Sequence, residues 1–171
     1  QHFDLDAVSA HAPHSSRAQH EQSTWWDRLT TTILSRKRNT PLLIGIDANA
    51  TLSHSTEHSS DHQSAPEENT ASTFFRKFLH DLQVYLPSTY KHLHVGPGTT
   101  FKGIKGGPKR IDYIAVSKEL FESVINSEVP QSIDLKIAKE DHKPAAVTMR
   151  YGHINEDDKH HYQRSICDRT K

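Results

Sequence analysis

Four short segments of the chain carry residues that can handle protons, phosphate or metal ions, and each begins or ends an apolar run. A strand that ends in a carboxylate, an amide or an imidazole holds that group in a fixed place, and several such ends can converge on one site. Their order and spacing therefore predict one polar site built from strand ends. The segments are His11-Ala-Pro13, Gly45-Ile-Asp47-Ala-Asn49, Arg110-Ile-Asp112-Tyr-Ile-Ala-Val-Ser117 and Glu140-Asp141-His142-Lys-Pro144.

Asp47 and Asn49 stand two residues apart just past an apolar run, so their side chains can point the same way. A carboxylate can orient or deprotonate a water molecule, and an amide can bind a phosphate oxygen or position the carboxylate. The same pair is also typical of an Asx turn that has no chemical role. The residues alone leave both interpretations open.

Asp112 and the pair Asp141-His142 suggest proton transfer. Histidine is the side chain best suited to that task near neutral pH, and the adjacent Asp141 can lie on a metal ion. Asp112 lies inside an apolar segment, where a buried carboxylate is costly unless it has a partner. A histidine partner would fix the tautomer of the ring and favour its cation. The alternative is that Asp112 is a solvated strand residue.

Residues 102–110 form a glycine-rich stretch that contains several basic residues. Lys105, Lys109 and Arg110 are predicted to neutralise phosphates beside the site, although such a loop can also serve solubility alone. His54, His58 and His62 have the spacing of metal ligands on a helix. Because no apolar face would hold that helix in place, we expect a solvated loop there.

The elements that must position these residues follow from apolar periodicity. Two longer helices are expected, one from Ser23 or Thr24 to a basic last turn at 36–38, and one over 73–82. A shorter helix is expected at 118–125. Strands are predicted at 3–10, 41–46, 87–90, 99–102, 111–116, 133–138 and 144–150, with the second covered on both faces. Irregular interleaving of strands and helices favours an α/β sandwich over a doubly wound parallel sheet.

Composition sets limits on size and partners. A chain of 171 residues fits one domain, here 1–150, while residues 151–171 are charged, rich in histidine and expected to form a flexible tail. Lys plus Arg and Asp plus Glu balance at 21 each, so nucleic acid must be bound by local patches. The single cysteine, Cys167, excludes a disulfide within the chain. No apolar run approaches the ~20 residues that span a membrane, and no export signal opens the chain, so an intracellular protein is expected, with the nucleus included.

Taken together, the four segments resemble the endonuclease/exonuclease/phosphatase (DNase-I-like) superfamily over about residues 5 to 150. The segment 110–117 is similar to the family's Arg-Ile-Asp-Tyr-x-x-x-Ser strand, and 140–144 to its Ser-Asp-His-x-Pro ending, with Glu140 in the Ser place. The segment 45–49 resembles its Gly-Asp-x-Asn strand end, with one residue inserted after Gly45. The Asp-Ala-Asn-Ala run and the Thr100-Phe101 segment are similar to endonuclease domains of non-LTR retrotransposons.

The resemblance implies a DNase-I-like α/β/β/α sandwich and hydrolysis of a phosphodiester, with DNA as the expected partner and Mg²⁺ or Mn²⁺ as the cofactor. It implies that Asp47 positions or activates the attacking water and that Asn49 holds this water and the phosphate. His142, oriented by Asp112, would stabilise charge or act as base. His11 would contact the phosphate or serve as general acid, and Asp141 would lie at the metal. No membrane partner is implied.

The family also carries an Asn and a principal metal-binding Glu on two earlier strands, and neither matches a position in this chain. We therefore expect a domain that lacks its N-terminal half, with one incomplete sheet, weak Mg²⁺ binding and little cleavage. Two alternatives stay open. One is an inactive retroelement remnant that at most binds nucleic acid, and the other is a phosphatase of the same fold acting on inositol phosphates or sphingolipid headgroups.

Overall fold

The computed structural model describes residues 4–36, 40–61, 63, 65, 67–103, 107–133 and 141–150. The expected tail at 151–171, Lys105 and most of the strand expected at 133–138 lie outside these residues. The helices are α1 (Gln19–Leu34), α2 (Ala71–Leu82) and α3 (Lys118–Phe121). The strands are β1 (Asp6–His11), β2 (Leu42–Asp47), β3 (Val84–Tyr85), β4 (His94–Val95), β5 (Phe101–Lys102), β6 (Pro108–Lys109), β7 (Asp112–Ser117), β8 (Val124–Glu128) and β9 (Ala146–Met149).

A four-stranded sheet in the order β1-β2-β7-β3 forms the centre of the fold. β1 runs parallel to β2, whereas β7 runs antiparallel to both β2 and β3. The C-terminal ends of β1 and β2 therefore lie beside the N-terminal end of β7, on one side of the sheet. A second sheet has the order β4-β8-β9, and β5 pairs with β6 as a separate hairpin.

Helices α1 and α2 cover one face of the central sheet. Along β2, Leu42, Ile44 and Ile46 are buried in one cluster with Trp26 and Phe75, while the alternate residues are only half-buried. The helix face of β2 is thus fully buried, while Leu43 on the opposite face packs against a second, smaller cluster, so β2 is covered on both faces, as expected.

The second sheet lies on the other face. A smaller cluster is formed by Leu93, Val116, Leu120 and Val124, with side chains of β2, β7 and β9 packed against it. The layers are thus helices, four-stranded sheet and three-stranded sheet. Among the described helices, none combines the length and the apolar character needed to cross a membrane.

Three predicted elements differ from the structure in their bounds or in their type, for local reasons. α1 begins at Gln19, before Ser23, because the buried Gln22 side chain bonds the Ser15 and Arg17 carbonyls and holds the first turn. It ends at Leu34, ahead of the expected basic turn. Residues 87–89 form a 3₁₀ turn that starts at Pro87, not a strand. α3 stops at Phe121, and the chain then pairs with β9 as β8.

Candidate active site

Strand register brings three of the predicted site residues into one row. His11 at the end of β1 is paired with Asp47 at the end of β2, and Asp47 is paired with Asp112 at the start of β7. Neighbouring strands lie about 5 Å apart, so side chains on the same face of such a row are close to one another. Strand pairing alone therefore brings His11, Asp47 and Asp112 next to one another, and no loop is needed for it.

Asp47 and Asn49 form both an Asx turn and a part of the site. The Asp47 Oδ1 atom accepts the backbone N–H of Asn49 at 2.9 Å, and the Asn49 side chain donates to the Ala12 carbonyl at 2.9 Å. Asn49 has a φ of 46°, a left-handed conformation that asparagine tolerates better than most residues. The Asx turn is therefore present, and the same turn holds Asp47 and Asn49 at the lining of a cleft.

Asn69 is a residue of the site that the sequence analysis missed. Its side-chain amide donates to the Asn49 carbonyl at 2.7 Å, and its oxygen accepts the Ser72 hydroxyl at 2.9 Å. Asn69 lies just before α2 and lines the same cleft as Asn49. The available signal was an Asn ahead of a predicted helix, which is typical of helix capping and gives no hint of a contact with residue 49.

Asp112 and His142 form a hydrogen-bonded pair. The His142 Nδ1 atom lies 3.0 Å from Oδ2 and 3.2 Å from Oδ1 of Asp112. The ring of Phe101 lies against the imidazole, with centroids 4.9 Å apart, and Phe101 and His142 also pair through their backbones. Since Nδ1 is directed at the carboxylate, Nε2 is the ring nitrogen that can meet a substrate or a water molecule.

The pKa of the Asp112 carboxyl is raised above its usual value. Burial is the largest cause, and the negative charge of Asp47 adds to it. Hydrogen bonds from Thr100 and His142 and the charge of His142 act in the opposite direction. The carboxylate is therefore held in a place that disfavours its charge, which is common where a protein concentrates catalytic groups.

Asp47, Asp112 and His142 can also hold a metal ion. One ligand atom from each lies within 4.8 Å of the others, and this is the cluster of three that the described residues provide. Hard oxygen donors suit Mg²⁺, which is often held by one or two carboxylates and completed by water and phosphate oxygens. The donor set thus fits a divalent ion. Asp141, the predicted metal ligand, is outside this cluster, and its backbone carbonyl accepts the N–H of Lys102 at 2.8 Å.

An open cleft of about 240 Å³ is lined by His142 of the pair and by His11 and Asp47 of the row. His11 is at its rim, with Nε2 3.7 Å from Asp47 Oδ2 and a side chain that is 76% exposed. The lining residues are His11, His14, Ser15, Asp47, Asn49, Asn69, Phe101, Lys109, Ile111 and His142.

The basic residues divide between cleft and interior. Lys109 lines the cleft, whereas the guanidinium of Arg110 is buried, with Nε donating to the Gly98 carbonyl at 2.8 Å. Consecutive residues at the edge of a strand point to opposite sides, so the two side chains diverge. The phosphate contact predicted for Arg110 does not fit this position. Lys105 lies outside the described residues.

Neither a protein-family model nor a curated protein matches the chain. The fold is similar to that of an AP endonuclease from Archaeoglobus fulgidus, with a TM-score of 0.60 and 15% identity over 86% of this chain and 62% of that one. It is also similar to a 3'-5' exonuclease, NExo, from Neisseria meningitidis, with a TM-score of 0.56 and 18% identity over 77% of this chain and 54% of that one.

A further similar structure is the endonuclease domain of TRAS1, a telomere-specific non-LTR retrotransposon, with a TM-score of 0.53 and 15% identity over 83% of this chain and 56% of that one. The chain thus has the fold of endonuclease/exonuclease/phosphatase proteins, and the predicted DNase-I-like fold class is confirmed. The chain spans little more than half the length of the exonuclease and the retrotransposon domain that it matches.

Proposed function

We propose that this chain supplies part of a divalent-metal-dependent phosphodiesterase site that acts on DNA, of the endonuclease type found in retroelements. The observation that carries the proposal is the Asp112–His142 hydrogen bond, together with a cleft that His142 lines along with Asp47 and Asn49. The shared fold adds to it, because the similar structures are named as two endonucleases and a 3'-5' exonuclease.

The proposed roles follow from geometry. Asp112 holds His142 with Nδ1 turned inward, so Nε2 can accept a proton from a water molecule or stabilise charge on a phosphate. Asp47 orients the attacking water, and the Asn49 amide, fixed by its turn and by Asn69, binds a phosphate oxygen. His11 at the rim contacts the phosphate. Positioning of this kind supplies much of the acceleration in phosphoryl transfer.

Mg²⁺ or Mn²⁺ would be held by carboxylate oxygens of Asp47 and Asp112, with water and phosphate oxygens as the other ligands. When bound, such an ion neutralises charge on the phosphate and on the leaving oxygen. Lys109, which lines the cleft, would contact the DNA backbone.

A weakly active or non-catalytic nucleic-acid-binding chain is the second candidate. One observation favours it, since two members of the metal-capable cluster, Asp112 and His142, already bond each other at 3.0 Å. An ion would compete with that bond, so weak Mg²⁺ binding is expected for the 171-residue chain.

A plasmid-nicking assay with Mg²⁺ or Mn²⁺ tests both candidates. We expect slow, EDTA-sensitive nicking that is lost in His142→Ala and kept in the control His92→Ala, which changes an exposed histidine that does not line the cleft. Cleavage that survives in His142→Ala would contradict the proposed site. DNA binding without cleavage would support the second candidate, and release of inorganic phosphate from 3'-phosphate ends without nicking would indicate a phosphatase.

A further inference from the structure

Gln22 is a buried amide residue near the start of α1 to which the proposed chemistry assigns no role. It is only 1% exposed, although glutamine is mostly a surface residue. Buried polar groups are generally hydrogen-bonded, so the partners of this amide indicate what the residue does.

The amide nitrogen of Gln22 bonds the loop between β1 and α1, residues 12–18. Nε2 donates to the Ser15 carbonyl at 3.2 Å and to the Arg17 carbonyl at 2.8 Å. A side-chain amide has two N–H donors, so both are in use. Because a carbonyl oxygen only accepts, these contacts also establish which end of the amide is the nitrogen. Gln22 therefore holds the loop at two places.

The oxygen of the same amide has no comparable role. Among the described residues, Gln22 Oε1 is buried and makes no hydrogen bond. An unpaired buried acceptor costs stability, so an apolar side chain of the same length would pack at this position at least as well. What only an amide can supply here is the pair of bonds to the loop.

Thr70, directly before α2, bonds the loop from a second helix. Its hydroxyl donates to the Ser15 carbonyl at 3.3 Å, so that carbonyl has one partner beside each of the two longer helices. Thr70 follows Asn69, whose amide donates to the Asn49 carbonyl at 2.7 Å. Two neighbouring residues thus bond two different segments that line the cleft.

The loop forms one wall of the cleft, which His14 and Ser15 line. The ring of His14 is fixed within the loop, because Nδ1 accepts the Ser16 N–H at 3.2 Å and lies 2.8 Å from the Ser16 hydroxyl. The Arg17 N–H donates to the His14 carbonyl at 2.9 Å. Any movement of the loop would therefore move the side chain of His14 in the cleft.

The start of the loop is held by other bonds. The Ala12 N–H donates to the Asp47 carbonyl at 2.8 Å, and the Ala12 carbonyl accepts the Asn49 side-chain amide at 2.9 Å. Since Gln22 takes no part in these bonds, loss of its amide should free residues 14–17 and leave Asp47 and Asn49 in place. Binding and chemistry can therefore be affected separately.

We infer that Gln22 is a positioning residue of the cleft, whose amide, together with the Thr70 hydroxyl, holds residues 14–17 in the form that receives a nucleic-acid strand. Gln22 does not line the cleft, so it acts through the loop. A loop that is already ordered binds more tightly, because ordering it on binding costs conformational entropy. The inference rests on the proposed function only for its effect on DNA, and its structural part concerns the free chain.

The structural part is tested by NMR on the 171-residue chain. In the wild type, both side-chain amide protons of Gln22 should exchange with water far more slowly than those of the exposed Gln19, and they should show nuclear Overhauser contacts to residues 15–17. Gln22→Met keeps the length and removes the amide. It should speed exchange of the Arg17 backbone N–H by about fivefold or more, the factor for one ordinary hydrogen bond. Gln19→Met is the matched control.

Thr70 supplies a second, smaller perturbation of the same loop. Thr70→Val should speed exchange at Arg17 less than Gln22→Met does, because it removes a single exposed bond, and Thr70→Ser should restore the wild-type rate. Gln22 amide protons that exchange as fast as those of Gln19 would overturn the inference, and so would a folded Gln22→Met chain with wild-type exchange at Arg17. The first of these measurements needs no variant, so it decides even if Gln22→Met does not fold.

The effect on DNA is tested by nicking and by fluorescence titration with a DNA duplex. Apparent affinity falls in proportion to the fraction of chains whose loop has its binding form. We expect Gln22→Met to raise KM and Kd by about fivefold with kcat nearly unchanged, and Gln19→Met to change none of them. An unchanged KM would contradict this role, whatever happens to kcat. A wild-type chain that neither binds nor cleaves DNA would count against the proposed function, and the NMR result would still decide whether Gln22 holds the loop.

Discussion

Replacing Asp112 by asparagine should stabilise the fold at neutral pH while it lowers the proposed activity. The side chains of Asp47 and Asp112 are only 14% and 21% exposed, and their cluster atoms lie within 4.8 Å of each other. Asparagine keeps the shape and an acceptor oxygen for His142, and it removes the charge that burial and Asp47 disfavour.

The size of the gain follows from the distances. Two unit charges 4.8 Å apart repel by about 3.5 kcal/mol at an effective dielectric constant of about 20, and by about 0.9 kcal/mol in bulk water. The loss of this repulsion is partly offset, because the charge-assisted hydrogen bond to His142 becomes a neutral one. That change costs about 1 kcal/mol. Because the pKa of Asp112 is raised, repulsion and burial outweigh the favourable contacts. We expect a net gain of about 1 kcal/mol, or about 2–4 °C in Tm for a chain of this length.

The gain must depend on pH with a definite sign. Since the pKa of the Asp112 carboxyl is higher in the folded than in the unfolded state, this group stabilises the wild type in its protonated form. That stabilisation is present at low pH and is lost as the pH rises through the folded pKa. The advantage of Asp112→Asn should therefore be complete above that pKa and shrink on acidification.

Urea unfolding of both chains, from pH 7.5 down to the lowest pH at which the wild type stays folded, measures this difference. Asp141→Asn is the control, because it removes the same charge from a half-buried neighbour outside the cluster. If Asp112→Asn unfolds at lower urea than the wild type at pH 7.5, the bond to His142 outweighs the repulsion from Asp47, and the reasoning is refuted. Nicking by the variant should fall by about fivefold or more, since a bond to His142 that is weaker by about 1 kcal/mol has that effect.

Four other changes have expected outcomes. Asn69→Ala should lower the free energy of unfolding by about 1–3 kcal/mol, measured with urea, because the Asn49 carbonyl and the Ser72 hydroxyl lose a partner. Burial lowers the pKa of His58, so the wild type should lose stability as the pH falls below about 6.5, and His58→Leu should lose less between pH 7.5 and 5.5. Phe75→Ala, at a fully buried ring, should cost about 3–5 kcal/mol in thermal unfolding, whereas exposed Val95→Ala should cost little. Lys109→Ala should weaken DNA binding evenly across sequences and reduce the salt slope by about 1 in a fluorescence titration, with exposed Lys91→Ala as the control.

The sequence predicts the central row of the site well because strand ends carry it. Apolar runs at β1, β2 and β7 are short and bounded by polar residues, and pairing such strands brings their polar ends together almost regardless of detail. The same reasoning predicted that Asp112 needs a histidine partner, and His142 is that partner at 3.0 Å. The prediction of these residues thus depended on apolar periodicity and on the cost of burying a charge, and both can be judged from a short stretch of sequence.

Other parts of the molecule depend on contacts between residues far apart in the chain. His58 was expected in a solvated loop, yet it is buried against the ring of Tyr85, with centroids 5.1 Å apart. Arg110 was expected to face phosphate beside Lys109 and instead turns inward to Gly98. In both cases the residue type favours exposure, and a tertiary contact overrides it.

The residues that hold the site in place were the hardest to predict, for a reason that follows from their chemistry. Thr100 and Asn69 carry no charge and act through backbone groups of the residues that they position. Any sequence contains many threonines and asparagines before strands and helices, so their type carries little information, whereas an aspartate within an apolar strand carries much. The charged residues of such a site can therefore be found from sequence, because burying a charge is costly. The neutral residues that make this burial tolerable are found only when the hydrogen bonds of Asp112 and Asn49 are traced in the structure.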